Sequence, residues 1–252
     1  MLEKQSVVDG VIINYLISDN FDPEKCLFFL HWWKQDRKSF ISILEILENK
    51  KISFISIDFP GFWKSSKLSY DWWIKDFSEI TCRFIEKLDL KKPVLIAHSF
   101  WWRIAIYLWA KYNIASKLIL IWAWSISPKK KNIKYFIVKA GKFLLSVKWL
   151  HFIWDIVREK LRSPDYKSSN ELKWTFLKII NEDISNMLTD IKAPVLLIWW
   201  KNDNQTLLEQ WIQMKDTIPN SRLEIFEDWT HFVFQEYPQE VANLITDFTN
   251  VS

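Results

Sequence analysis

The sequence predicts an α/β protein whose sheet is mostly parallel and covered by helices on both faces. Three observations predict it. Short apolar runs alternate with helical patterns from about residue 26 to 122, and the rhythm resumes near 193 after a purely helical stretch. A serine stands between an apolar run and a helical pattern in PVLIAHSFWWRIAIYLWA at 93–110. Unbroken apolar strands separated by helices are the mark of a sheet buried on both sides.

The elements follow in order. Residues 7–17 read as a hairpin turning at Asp9-Gly10, a two-residue signal for tight reversal. A buried strand is expected at 26–30, an amphipathic helix at 37–49 and a strand at 52–57, ISFISI. Helix is expected at about 71–88, strand at 93–97, helix at 101–113 and strand at 117–122. Between about 125 and 190 the pattern is helical throughout, including IKYFIVKAGKFLLSVKWLHFIWDIVREKL. Strands return as APVLLIW at 193–199 and RLEIF at 222–226, before a last helix at about 238–249. Crossovers between the parallel strands are expected to be right-handed.

Composition bounds the function. A chain of 252 residues with 49% apolar side chains fits one large domain carrying an insertion. A net charge of +4 is too mild to imply nucleic acid, and no nucleic-acid-binding motif is present. The basic run Lys129, Lys130 and Lys131 reads as a solvated loop. Cys26 and Cys82 fall in an expected strand and an expected helix, so they read as small buried apolar groups and not as a disulfide. No CxxC pair or His/Cys cluster predicts a metal, and no P-loop or dinucleotide fingerprint predicts a cofactor. The polar start MLEKQSVVDG lacks the apolar core of a signal peptide, and no run approaches a membrane span, so the expected location is the cytoplasm.

The chain holds 17 tryptophans and only 3 glycines. Average usage of about 7% would give roughly eighteen glycines. The deficit and the excess nearly match. Several tryptophans also stand where a turn or a close approach would favour glycine. Reading Trp101 and Trp102 as glycine turns 97–110 into AHSFGGRIAIYLWA, with Trp109 left open as AHSFGGRIAIYLGA. The same change converts FFLHWW at 28–33 into a strand entering an HG loop, and DFPGFWKSS at 58–66 into DFPGFGKSS. It converts LLIWWKND at 196–203 into LLIWGKND, and FEDWTHF at 226–232 into FEDGTHF.

In this order the five segments resemble the α/β-hydrolase superfamily from about residue 7 to the C-terminus. The expectation is that Trp32, Trp63, Trp101, Trp102, Trp200 and Trp229 are glycines in the natural protein, through UGA codons read as glycine. Lysine outnumbers arginine 28 to 6, as in an AT-rich genome. The competing reading is a chain rich in tryptophan in its own right. Overpacking costs about 1–3 kcal/mol per site, so six such sites would consume much of the roughly 5–15 kcal/mol that holds a domain together.

The resemblance implies an α/β-hydrolase core at 1–124 and 191–252 and a helical cap inserted at 125–190. Cap aromatics Tyr135, Phe136, Phe143, Phe152 and Tyr166 either line an apolar substrate pocket or seat the cap on its base. It also implies a nucleophile, an acid and a base in the chain order Ser, Asp, His. Ser99 matches the nucleophile elbow, although a serine between strand and helix is otherwise an N-cap. Asp203 matches the acid turn after the strand at 193–199, although aspartate in a polar loop is otherwise a turn former. The other acid position, in WAWSIS after the strand at 117–122, carries no carboxylate. His231 matches the histidine loop after the last strand. His31, His98 and His151 do not fit that place in the chain order.

A serine hydroxyl needs a base to take its proton and a third group to hold the base, which explains these residue types. The oxyanion that forms needs two backbone N–H donors. By resemblance these belong to Phe100, after the nucleophile, and Trp33, after the HG pair. Gly61 and Trp63 shape a loop near the site, and Asp58 reads as structural. A serine nucleophile implies ester, thioester, amide or activated C–C hydrolysis of a small molecule. The leading expectation is a carboxylic ester with a small or medium apolar acyl group. The alternatives are a non-catalytic receptor with the same fold, and a sugar- or membrane-binding surface of exposed indoles.

Overall fold

A computed structural model describes residues 1–121, 170–201, 208–227 and 233–250. The structure is an eight-stranded sheet in the order β1-β2-β4-β3-β5-β6-β7-β8. The strands are β1 Leu2–Val8, β2 Val11–Ile17, β3 Leu27–Leu30, β4 Phe54–Ile57, β5 Val94–His98, β6 Lys117–Ile121, β7 Val195–Trp200 and β8 Ser221–Phe226. β1 and β2 form an antiparallel hairpin, and β2 also runs antiparallel to β4. Every pair from β4 across to β8 is parallel.

The hairpin turns where the sequence predicts. Val8 pairs with Val11, which leaves Asp9 and Gly10 as the loop, with φ of 47° and 80°. Positive φ at both central residues gives the twist that matches flanking strands.

Alternation along each central strand sorts the core into two layers. Phe28, Leu30, Ile55, Ile57, Leu95, Ala97, Leu118 and Leu120 face one side, against α2 (Ile74–Lys87) and α3 (Trp102–Tyr107). Leu27, Phe29, Phe54, Val94, Ile96, Ile119 and Ile121 face the other, against α1 (Ile41–Asn49) and α8 (Pro238–Thr249). Among the described residues, the remaining α-helices are α4 (Lys173–Asn181), α5 (Ser185–Leu188), α6 (Leu208–Thr217) and α7 (Val233–Glu236). Cys26 and Cys82 are free and buried.

Helix boundaries depart from the periodicity where polar groups intervene. α1 begins at Ile41 and not at 37 because Asp36 and Asp58 capture the preceding backbone. The Lys38 N–H donates to Asp36 Oδ1 at 2.9 Å, and the Arg37 N–H donates to Asp58 Oδ1 at 2.7 Å. Such side-chain bonds hold a turn in place of a helix. α2 begins at Ile74 because Asp76 accepts the Trp73 N–H at 2.7 Å, closing the helix N-terminus. The helix expected at 101–113 is α3 followed by a π-type turn at Leu108–Tyr112, stopped by left-handed Asn113.

Of the cap assigned to 125–190, the described residues 170–190 hold a 3-10 turn at Asn170–Leu172 and the helices α4 and α5, which lie against the core. Phe176 and Ile179 of α4 are fully buried in the α2/α3 layer. Residues Lys129 to Lys131, His151 and the five cap aromatics lie outside the described residues.

Candidate active site

The parallel register brings several loops to one edge of the sheet. Leu30, the last residue of β3, pairs with both Ile57 of β4 and Ala97 of β5. The segments that follow these strands, starting at His31, Asp58 and Ser99, therefore leave the sheet side by side. In open parallel sheets the carboxyl ends of the strands are where ligands bind.

Ser99 follows β5 directly and has φ of +51°. An L-residue pays for this left-handed conformation with about 1–2 kcal/mol, because Cβ crowds the following carbonyl. Here the strained residue is the one the sequence singled out, and it lies in a strand-to-helix turn. Ala97, two residues earlier, has no exposure, and Ser99 itself is only 3% exposed. His98 packs edge-on against Trp32, Phe40 and Phe234, at ring separations of 4.9, 6.5 and 4.6 Å.

The loop after β3 is organised by His31, which is fully buried. Its Nε2 accepts the Phe59 N–H at 3.1 Å. Its proton therefore sits on Nδ1, which lies 2.7 Å from the Trp32 carbonyl oxygen and donates to it. Burial pushes the His31 pKa down to about 4, opposed by the hydrogen bond to the Trp32 carbonyl. The imidazole is neutral at pH 7 and acts as a two-ended strut between the β3 and β4 loops.

A buried ion pair supports the same two loops. Arg37, 3% exposed, places Nη1 2.7 Å from Oδ2 of the fully buried Asp58. Asp58 also accepts the Arg37 N–H, while the Ser65 hydroxyl donates to the Asp58 carbonyl at 2.7 Å. Burial pushes the Asp58 carboxyl above the usual range, against the pull of Arg37. The second arm of Arg37, Nη2, lies 2.6 Å from Glu3, and that hydrogen bond holds the Glu3 carboxyl down at about 2.

Trp33 and Phe100 pack ring against ring. Their ring centroids are 4.4 Å apart, and both residues are buried. Phe176 joins them, at 5.1 Å from Trp33 and stacked on Phe100 at 5.2 Å with an interplanar angle of 12°. Sequence reasoning missed Phe176, because one apolar residue in a helical pattern carries no mark of its spatial neighbours. It also missed Arg37, whose pairing with Asp58 spans 21 residues.

The six suspected glycine positions divide on inspection. Trp63 has φ of +47° and a side chain 68% exposed, so its strain lies in the backbone. Gly61, two residues before it, has φ of +90°, and a Cβ there would come within 3.1 Å of Leu68 Cγ. Trp101 and Trp102 have φ of −84° and −55°, which any residue adopts. Both are buried, and Trp101 sits among the rings of His31, Trp33, Phe59, Phe62, Phe77 and Phe100. Among the described residues, its buried Nε1 finds no hydrogen-bond partner. Trp32 stacks on Phe234 at 5.9 Å, and Trp200 is buried at the end of β7. Trp229 lies outside the described residues, as do Asp203 and His231.

No family model matches the chain. It is 22% identical to the hydrolase YugF of Bacillus subtilis over 97% of each chain. It is 29% identical to a Mycoplasma pneumoniae protein named for esterase/lipase activity, over 55% of this chain and 62% of that one. Among solved structures, an esterase from Exiguobacterium antarcticum superposes with a TM-score of 0.75 at 19% identity, covering 99% of this chain and all of the other. A meta-cleavage product hydrolase from Pseudomonas fluorescens gives 0.73 at 14% identity, covering 98% of this chain and 97% of the other.

The fold is that of the α/β hydrolases. The relatives and the α/β-hydrolase fold together support a hydrolase. No described helix is long and apolar enough to cross a membrane.

Proposed function

We propose that this α/β-hydrolase-fold protein is a serine hydrolase acting through an acyl-enzyme on carboxylic esters with a small or medium apolar acyl group. The observation that carries the reading is the left-handed backbone of Ser99 directly after β5, followed by Phe100, whose ring meets that of Trp33. Strain at a polar residue in a strand-to-helix turn is retained where it presents a reactive group.

In the proposed mechanism Ser99 Oγ adds to the ester carbonyl as its proton passes to His231, held by Asp203. The carbonyl oxygen takes up the negative charge, which the backbone N–H groups of Trp33 and Phe100 receive. Return of the proton to the leaving alcohol frees the acyl-enzyme, and water then repeats the sequence to release the acid. A fluorophosphonate probe should label the protein at Ser99, and Ser99→Ala should abolish both labelling and hydrolysis of p-nitrophenyl butyrate. A folded protein that neither labels nor hydrolyses would favour the receptor. A panel of ester, thioester, amide and β-diketone substrates separates the bond classes.

The same reading takes Trp32, Trp63, Trp101, Trp102, Trp200 and Trp229 as glycine in the natural protein. The left-handed Trp63 supports it, as does the buried indole N–H of Trp101, unpartnered among the described residues, since a buried donor left unpaired costs about 1–3 kcal/mol. At Trp101 and Trp102 the case is one of space and not of torsion. Codons other than UGA at these positions would end the proposal. Protein made with glycine at all six should fold and hydrolyse esters better than protein made with tryptophan.

A further inference from the structure

Phe176 is fully buried on α4, yet the two rings it meets belong to the residues proposed as oxyanion donors. This geometry bears on specificity. Donors at 33 and 100 hold the substrate carbonyl oxygen within about 2.7–3.1 Å of their nitrogens. The acyl carbon then lies beside the side chains of the same two residues, and its chain must run past whatever covers them. Phe176 covers both. Ser99, the residue before Phe100, is itself only 3% exposed. The contact with Phe100 is the closer to parallel, at 12°, and involves no tryptophan, so it does not depend on how residue 33 is decoded.

We propose that Phe176 sets the acyl-chain length that the enzyme accepts, acting as the wall that ends the acyl pocket and confines good substrates to short chains. The proposal rests on the serine-hydrolase reading above. Phe176 is a specificity-determining residue in it, with no part in the proton transfers.

The test compares wild type, Phe176→Ala and Phe176→Leu on p-nitrophenyl acetate, butyrate, octanoate and dodecanoate, with fluorophosphonate labelling measured in parallel. Wild type should favour acetate and butyrate. Phe176→Ala should raise the octanoate-to-butyrate ratio of kcat/KM by about tenfold or more, since each methylene seated in an apolar pocket contributes about that much. Phe176→Leu should fall between, and it serves in place of alanine if that variant does not fold. Labelling should persist in both. An unchanged chain-length profile in a variant that still labels would overturn the proposal while leaving the serine-hydrolase reading intact. Loss of labelling in wild type would instead strike that reading. In that event, calorimetric titration of Ser99→Ala with butyrate and dodecanoate, with and without Phe176→Ala, still decides the pocket. Equal preference in the two proteins would overturn it.

Discussion

The Nε2 of His31 accepts the backbone N–H of Phe59 at 3.1 Å, which leaves the Nδ1 proton for the Trp32 carbonyl. That carbonyl shares a peptide plane with the Trp33 N–H, which points the opposite way because the peptide unit is planar and trans. His31 thereby orients the proposed oxyanion donor from behind. In His31→Phe, kcat for ester hydrolysis should drop about 10²-fold with KM little changed, the signature of a lost oxyanion donor. A folded variant with unchanged kcat would refute the positioning role.

The same histidine makes stability pH-dependent. Its pKa falls from 6.5 to about 4 on burial, so the unfolded chain binds the extra proton between those values. Stability from this site is complete above about pH 6.5 and declines as pH falls towards 4, by up to about 1.4 kcal/mol per unit and about 3 kcal/mol in all. Thermal unfolding of wild type from pH 7 to 4 should be steeper than that of His31→Phe, which lacks the group. Parallel slopes would contradict this.

Ser99→Gly and Ser99→Ala should separate strain from chemistry. Both should abolish labelling, but only glycine relaxes a φ of +51°. Relief of about 1–2 kcal/mol, less the added freedom of glycine in the unfolded chain, leaves Ser99→Gly more stable by about 0.5–1 kcal/mol. Denaturant midpoints measure it, and an alanine variant at least as stable as the glycine one would refute the strain.

Trp63→Gly should stabilise the protein by a similar amount. The φ of +47° is strained, and with 68% of the side chain exposed little burial is lost. A lower melting temperature than wild type would count against the glycine assignment at this position.

Asp58→Asn should be costly. It leaves the buried Arg37 guanidinium facing a neutral partner, and breaking such a pair costs about 3–5 kcal/mol. A fall of about 10 °C in Tm is expected for a domain of this size. A change of only a degree or two would mean that Glu3 alone suffices to hold Arg37.

The features legible in the sequence are those set by neighbouring residues. The Asp9-Gly10 turn, the apolar strands and the break at Ser99 each depend on a few adjacent side chains; the turn and the break stand where expected and the strands within two residues, except β1, which begins at Leu2 and not at 7. The late start of α1, at Ile41 and not at 37, was not legible, because Arg37 is drawn away by Asp58 across 21 residues. Nor was the clamp of Phe176 on Trp33 and Phe100, whose members come from α4, the β3 loop and the elbow. Periodicity and turn chemistry by themselves determined the alternating α/β pattern and the break at Ser99, since both are short-range properties of the chain, while the candidate nucleophile came from the resemblance of the segments around it. Only the tertiary structure decided the strand order, the His31 strut and the packing of Phe176 on Trp33 and Phe100. Those depend on sheet register, which juxtaposes residues that no local pattern relates.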